Sequence, residues 1–285
     1  LKLPINKIIC GDCLEVVKDW PDNCVDLVVT SPPYGKLRDY KGYDFNFKLI
    51  AKQLFRIIKR GGMVVWIVGD ETIDGNETGN SFRQALYFKK IGFSLHDTMI
   101  YAKRGFSNPS NNRYHQIFEY MFVLSKGKLK TFNPIKDRRN IEKHRGGDTK
   151  RQKDGTMLKG NKGGSILDYF GQRYNIWNYK IGGGNVSTNR IAHEHPAIFP
   201  EKLAADHIIS WSNENNIVLD PFCGSGTTCV ATKMLGRKYI GIDISEKYCK
   251  ISRKRLKGIR LSLFEKPKKK RKRPSFELSV KRRKK

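Results

Sequence analysis

The sequence predicts an α/β fold, and three observations carry that expectation. Short apolar, β-branched runs such as Val25-Asp26-Leu27-Val28-Val29 recur along the chain and read as buried strands. Between them lie segments whose apolar residues fall at helical spacing. Several strands stop at residues suited to contact: Gly11-Asp12, Thr30-Ser31-Pro32-Pro33-Tyr34, Asp220-Pro221-Phe222 and Asp243. In open α/β sheets, ligands bind outside the carboxyl ends of the strands. At 285 residues the chain can form one large core, or a core with an inserted subdomain.

Taken in order, Lys7 to Cys10 reads as a strand that ends at the Gly11-Asp12 turn, and Cys13 to Trp20 follows with helical spacing. Asp12 stands where an aspartate caps a helix. The strand Val25–Val29 is stopped by Pro32 and Pro33, which lack N–H donors and fix φ. Gly35 to Tyr43 interleaves Lys, Arg and Tyr, a composition suited to phosphate and base contacts in a closing loop. Phe47 to Lys59 is amphipathic, with Leu49, Ile50, Leu54, Ile57 and Ile58 inward, and Arg60-Gly61-Gly62 ends it. Met63–Val68 is the next strand, Ser81–Lys90 a helix and Asp97–Ala102 another strand. From Lys103 to about Arg190 the apolar periodicity fades, and glycines mix with Lys, Arg, Asn and Gln. A stretch that long without structure in a compact domain is functional or disordered. Ile176-Trp177-Asn178-Tyr179 marks the return to the core, with Trp177 packing there. Leu203–Trp211 is an amphipathic helix, followed by the strand Ile217–Asp220, a glycine loop, a helix, and the strand Lys238–Asp243.

Two of these stretches carry chemistry. In Ser31-Pro32-Pro33-Tyr34, the first proline carbonyl and the serine hydroxyl are acceptors, and Tyr34 offers a flat face for stacking. Two acceptors beside a stacking platform suit the exocyclic amine of a nucleobase. Hydrogen bonds to both amine hydrogens draw the nitrogen towards tetrahedral geometry and free its lone pair. A strand-ending turn with a surface tyrosine is the bland alternative. In Asp220-Pro221-Phe222-Cys223-Gly224-Ser225-Gly226-Thr227, Gly224 and Gly226 let the backbone approach a ligand closely. No phosphate loop of the nucleotidase kind is present, because neither Gly35-Lys36 nor Gly127-Lys128 is followed by Ser or Thr. Asp243, at the end of the next strand, is placed to bond a ribose diol by the logic of the dinucleotide folds.

With these two motifs the chain resembles the β group of amino-methylating DNA methyltransferases, in which the Ser-Pro-Pro-Tyr segment precedes the Asp-Pro-Phe-x-Gly-Ser-Gly-Thr segment. The resemblance covers most of residues 1–103 and 190–255. It implies a Rossmann-like, mostly parallel seven-stranded sheet with helices on both faces. It also implies S-adenosylmethionine as cofactor, duplex DNA as partner, and methyl transfer to a base flipped from the helix. Residues 1–103 would be the catalytic half, 104–190 a target-recognition region, 191–265 the cofactor-binding half and 266–285 a disordered basic tail. Ser31, Pro32, Pro33 and Tyr34 would be catalytic. Asp12, Asp220, Phe222, Gly224, Ser225, Gly226, Thr227 and Asp243 would place the cofactor, with Phe199 as an apolar wall at its methionine end. In the family, Ser before Pro-Pro-Tyr is typical of N4-cytosine enzymes and Asp or Asn of N6-adenine ones. Ser31 therefore points to cytosine, with N6-adenine as the alternative. The resemblance leaves open a homodimer and a companion restriction nuclease.

Charge agrees with a polyanionic partner: 56 Lys and Arg against 27 Asp and Glu give a formal net charge of +29. An acidic membrane surface is the other candidate, but no apolar run reaches the ~20 residues a membrane helix needs. Neither a secretory signal nor a disulfide framework is evident, so the expected compartment is the cytoplasm, in association with the nucleoid. The basic runs Pro267 to Arg273 and Lys281 to Lys285 would lie along phosphates, and they also fit a nuclear localisation signal. Cys10 and Cys13 read as two small buried residues, and His193 and His195 face opposite sides of an extended segment, so no metal is expected. Asp70-Glu71 is not needed as an acid pair, because amine transfer does not call for one. The Pro-Cys dipeptide of carbon-5 methylation is absent at the site. An RNA methyltransferase and a catalytically silent DNA-binding protein remain the rival readings.

Overall fold

A computed structural model describes residues 2–33, 45–105, 111–140, 149–159, 168–182, 186–187, 189–195 and 198–259. Tyr34, the Gly35–Tyr43 loop, Pro196-Ala197 and the basic tail lie outside the described residues. The first half of the chain forms β1 (Lys7–Cys10), α1 (Cys13–Val17), β2 (Val25–Thr30), α2 (Phe47–Ile57) and β3 (Ile58–Val68). A short hairpin, β4 (Thr72–Ile73) and β5 (Asn76–Glu77), leads to α3 (Asn80–Lys90), β6 (Ser94–Arg104) and β7 (Phe118–Ser125). Four short strands follow: β8 (Arg138–Arg139), β9 (Thr149–Arg151), β10 (Met157–Lys159) and β11 (Phe170–Gly171). The chain then runs through β12 (Ile176–Lys180), a 3-10 turn (Arg190–Glu194), α4 (Glu201–Trp211), β13 (Ile217–Asp220), α5 (Thr227–Met234), β14 (Lys238–Asp243) and α6 (Glu246–Lys257).

The main sheet has the order β1-β14-β13-β2-β3-β7-β6-β12. All neighbouring pairs are parallel except those of β7, which runs antiparallel between β3 and β6. The sheet is mostly parallel as expected, but it has eight strands where the resemblance implies seven. Both faces are buried, which is what parallel strands require. Along β3, Val64, Trp66 and Val68 join the apolar cluster that includes Ile50, Leu54 and Phe88, from α2 and α3. Met63, Val65 and Ile67 face the opposite way, towards Leu203 and Ile208 of α4. A smaller cluster of Cys229, Val230, Cys249 and Leu256 joins α5 to α6.

Two expectations about boundaries are corrected. The Arg60-Gly61-Gly62 turn does not exist as a break: α2 ends at Ile57, and β3 starts at Ile58 and passes through both glycines. A Cβ on Gly62 would lie 2.7 Å from the Asp26 carbonyl oxygen, so the glycine serves close approach to β2 rather than a turn. The interval 104–190 is also too wide for a separate region. β7 is a core strand with Met121 and Val123 fully buried, and among the described residues the second compact unit spans only Lys136–Arg173. Trp177 packs in the core beside Tyr179, as expected.

The described part of the second unit is held by polar contacts. β8 pairs with β11 and β9 with β10, all antiparallel. The Arg173 guanidinium grips Asp137 through Nε at 3.1 and 3.0 Å and through Nη2. Asn140 donates from Nδ2 to the Asp168 carbonyl at 2.7 Å, and the Arg139 guanidinium lies over the Tyr169 ring at 5.4 Å. The β9–β10 hairpin turns on Asp154, whose Oδ1 accepts from the Thr156 amide and hydroxyl.

Candidate active site

Because β1, β14, β13, β2 and β3 are all parallel, their carboxyl ends share one edge of the sheet. That edge collects Asp12, Asp243, Asp220, Thr30-Ser31 and Asp70 from five separate strands. Pro32 and Pro33 are buried where β2 stops, and Ser31 is half-exposed beside them. Tyr34 falls outside the described residues.

β2 and β13 are locked together at this edge. Thr30 is fully buried and donates from Oγ1 to Asp220 Oδ1 at 2.7 Å, and the Phe222 amide donates to the same oxygen at 3.1 Å. Burial pushes the Asp220 carboxyl up to about 6, against the opposing pull of these hydrogen bonds. Thr228 Oγ1 donates to the Val29 carbonyl at 3.1 Å, which fastens the start of α5 to the end of β2. The strand that presents Ser-Pro-Pro and the loop that follows β13 are thus one hydrogen-bonded body.

The glycine loop needs its glycines for two separate reasons. Gly224 and Gly226 have φ of +49° and +81°, the left-handed region that L side chains avoid. They are also crowded: a Cβ would meet the His195 ring Nε2 at 2.8 Å on Gly224, and Ser252 Oγ at 2.8 Å on Gly226. Ser252 Oγ donates to the Gly224 carbonyl at 2.6 Å. The Asp243 carboxylate spans the loop, accepting from the Gly224 amide at 2.9 Å and the Ser245 amide at 2.8 Å. Burial holds that carboxyl above its ordinary range. Each carboxylate oxygen has a second lone pair, so these bonds leave acceptor capacity for a hydroxyl. The free Cys223 thiol, hydrogen-bonded to Cys229 and buried, is raised well above its usual range and is no nucleophile at neutral pH.

The structure sorts the expected residues into two groups. Gly224, Gly226, Asp243 and Asp12 stand together, since Gly11 donates to the Asp243 carbonyl at 2.9 Å and Asp12 follows directly. Asp12 also caps α1, with its Oδ1 accepting from the Leu14 amide at 2.7 Å, so its structural role is real and leaves the carboxyl half-exposed. Asp220, Ser225 and Thr227 are 2%, 2% and 4% exposed, and their side chains brace the loop from within. Phe222 sits edge-on to Phe45 and Trp66, and Phe199 packs half-buried on the α4 side of the sheet. Asp70 takes no part in an acid pair: it accepts from the Ser81 amide and hydroxyl and from Thr78, which fixes the start of α3.

Sequence reasoning missed the support under the loop. Arg255, 2% exposed, donates to the Ser225 carbonyl, to Ser225 Oγ at 3.0 Å and to Glu201 Oε1 at 2.6 Å. Glu201 in turn accepts from Ser187 Oγ at 2.5 Å. A basic residue on a helix rich in Lys and Arg carries no sign of burial in its sequence. His193 lies on the 3-10 turn and His195 directly after it, not on the extended segment the sequence suggests. The His195 ring lies 4.3 Å from that of Tyr248 and covers Gly224, whereas His193 Nε2 lies 3.3 Å from the Ser187 carbonyl.

A cofactor with a ribose and a charged sulfonium fits these groups: a glycine loop too close for any Cβ, and two carboxyls at adjacent strand ends. Comparison with known proteins places the chain in a family. The DNA methylase family profile matches residues 25–254. The orphan methyltransferase M.BamHII of Bacillus amyloliquefaciens is 55% identical over 241 residues, covering 83% of this chain and 90% of that protein. Among solved structures, the PvuII DNA methyltransferase (cytosine-N4-specific) superposes with a TM-score of 0.63 at 20% identity, over 87% of this chain and 85% of that one. The M1.HpyAVI–SAM complex gives 0.60 at 24% identity, over 88% and 98%.

Proposed function

The chain belongs to the N6/N4 family of DNA methylases, and on that premise we propose that it methylates the N4 amine of cytosine in duplex DNA. When bound, S-adenosylmethionine supplies the methyl group from its sulfonium. Asp243 and Asp12 would hold the ribose and the adenine, while the left-handed Gly224–Gly226 loop keeps the backbone against the ligand. His195, lying over Gly224, would border the same space. Phe199 would wall the methionine end.

The target amine is paired and shielded within a duplex, so the base must leave the stack. Ser31 Oγ and the Pro32 carbonyl would accept from the amine, and Tyr34 would stack on the base. The Thr30–Asp220 and Thr228–Val29 bonds hold this acceptor pair to the cofactor loop. Rate would then come from alignment and from polarising the amine. The second unit, with Arg138, Arg139 and Asn140, would contact the duplex: arginines to phosphate or guanine, asparagine to adenine. Among the described residues no helix is long and apolar enough to cross a membrane. The orphan status of the 55%-identical relative supports action without a companion nuclease.

The single observation that carries cytosine over adenine is Ser31 in place of Asp or Asn before Pro-Pro-Tyr. The test is tritium transfer from labelled S-adenosylmethionine to unmethylated duplex DNA, followed by nucleoside separation by mass. N4-methylcytosine is the expected product. Label in N6-methyladenine would overturn the Ser31 argument and leave the rest of the mechanism in place.

A further inference from the structure

We propose that Cys10, Glu246 and Cys249 form a binding site for a thiophilic divalent cation of the zinc class. The sequence pairs Cys10 with Cys13, three residues on, but the fold separates their roles. Cys13 is buried in the α1 side of the core, whereas Cys10 is exposed at the end of β1. β1 lies beside β14 with Cys10 opposite Asp243, and α6 starts three residues after Asp243. Glu246 and Cys249 are three apart on that helix, so they share one face, and that face meets Cys10. The two Sγ atoms and a Glu246 oxygen all lie within 4.8 Å of one another.

Those distances are close to what a metal needs. Zinc–sulfur bonds of about 2.3 Å place tetrahedral ligands roughly 3.8 Å apart, so closure requires side-chain shifts of about 1 Å. Cys10 and Glu246 are exposed and can supply them, while Cys249 is buried and gives the site a fixed anchor. Two sulfurs and one carboxylate select a soft or borderline cation over magnesium or calcium. Three protein ligands leave the fourth position to water, the open arrangement of zinc sites that are not purely structural. Existing contacts are weak enough to exchange. The single Cys249 S–H has the Ile9 and Asp243 carbonyls as acceptors at 3.6 and 3.5 Å, and Cys10 has the Ile244 carbonyl at 3.7 Å and hydrogen bonds to Glu246 and Cys249. Glu246 Oε1 receives Arg253 at 3.0 Å, and that exposed ion pair is worth little. Among the described residues this is the one group of three or more ligating side chains close enough to hold an ion.

The experiment uses the full chain, stripped of metal and kept reduced. Cobalt(II) is titrated as a spectroscopic probe, and zinc is measured against a chromophoric chelator with magnesium as the control. The expected result is one equivalent of cobalt with a thiolate-to-metal charge-transfer band, displaced by zinc and not by magnesium. Cys10→Ser, at an exposed position, should keep the fold by circular dichroism, lose most of the band and weaken zinc binding on the order of tenfold or more. Glu246→Gln should keep the band and weaken zinc to a lesser degree. Cys13→Ser should change neither. Absence of a thiolate band, a band unchanged in Cys10→Ser, zinc affinity unchanged in Glu246→Gln, or a band lost in Cys13→Ser would each overturn the proposal.

Discussion

At the glycine loop, buried polar groups answer one another: Thr30 with Asp220, Arg255 with Ser225 and Glu201, Ser252 with Gly224. In the second unit the ion pairs stand partly or wholly in solvent. Asp137 is 51% exposed in its pair with Arg173, and Lys136 and Asp168 are 58% and 79% exposed in theirs. The two arrangements suit opposite tasks. A loop that must hold a small ligand to within a fraction of an ångström benefits from buried bonds that cost much to break. On the proposed role of the second unit, a surface that meets polyanionic DNA has use for charges that remain hydrated until phosphate replaces water. Removing a side chain should therefore be costly to the fold in the first region and nearly free in the second.

The largest effect should come from Arg255→Met. It leaves Glu201 without its buried partner and frees the Ser225 carbonyl, at a cost of about 3–4 kcal/mol. Glu201 keeps 26% exposure, so the value belongs at the lower end of the range for buried pairs. Denaturant midpoints at unchanged slope would check it. A loss below about 1 kcal/mol would mean that the loop is not held from beneath.

Asp220→Asn is the next test and has the opposite sign. The buried carboxyl titrates at about 6 in the folded protein, above its unfolded value. The folded state therefore binds the proton more tightly, and this contribution to stability is complete at low pH and lost as pH rises from about 4 through 6. Asparagine keeps an Oδ1 acceptor for both Thr30 and Phe222 without the charge. The variant should gain on the wild type by up to ~3 kcal/mol between pH 4 and 7. Parallel stability curves for the two proteins would show that Asp220 does not titrate in this window.

Gly226→Ala separates the loop's shape from its bonds. The position has φ +81° and a Cβ would collide with Ser252, so a loss of roughly 1–3 kcal/mol is expected. On the proposed site, cofactor affinity by calorimetry should fall more than stability alone explains, because the loop would shift where the ligand would lie. Unchanged affinity would remove the loop from the cofactor site.

How much of this could be read in the sequence follows the same division. Short apolar runs announced β2, β3 and β14, and glycine with aspartate marked the strand ends that gather at one edge of the sheet, because those signals are local. β7 was hidden: Phe118 to Ser125 reads FEYMFVLS, within an interval dominated by polar residues. Met121-Phe122-Val123-Leu124 is a short apolar run like those of the other strands, but its place between β3 and β6 is set by partners distant in sequence. Arg255 was hidden for the same reason, since only the distant Glu201 and Ser225 make its burial affordable. Cys10 reads as buried like Cys13, yet it is exposed, because the register of β1 beside β14 leaves it at the rim next to the start of α6.

The smallest structural effect, and the sharpest test of the contrast, is Arg139→Ala. Arg139 is exposed on β8, and its contact with the Tyr169 ring is at the surface. Folding stability should stay within about 0.5 kcal/mol of the wild type. If the side chain meets a phosphate, DNA affinity should fall alike on all duplexes, and the slope of log affinity against log salt should drop by about 0.9. If it reads a guanine edge, affinity for the target should fall by about 1–3 kcal/mol, with little change on unrelated DNA. Either outcome keeps the second unit as a binding surface, and the choice between them says whether Arg139 positions the duplex or selects it. A change in stability with no change in DNA binding would reverse the contrast, because the exposed arginine would then belong to the scaffold.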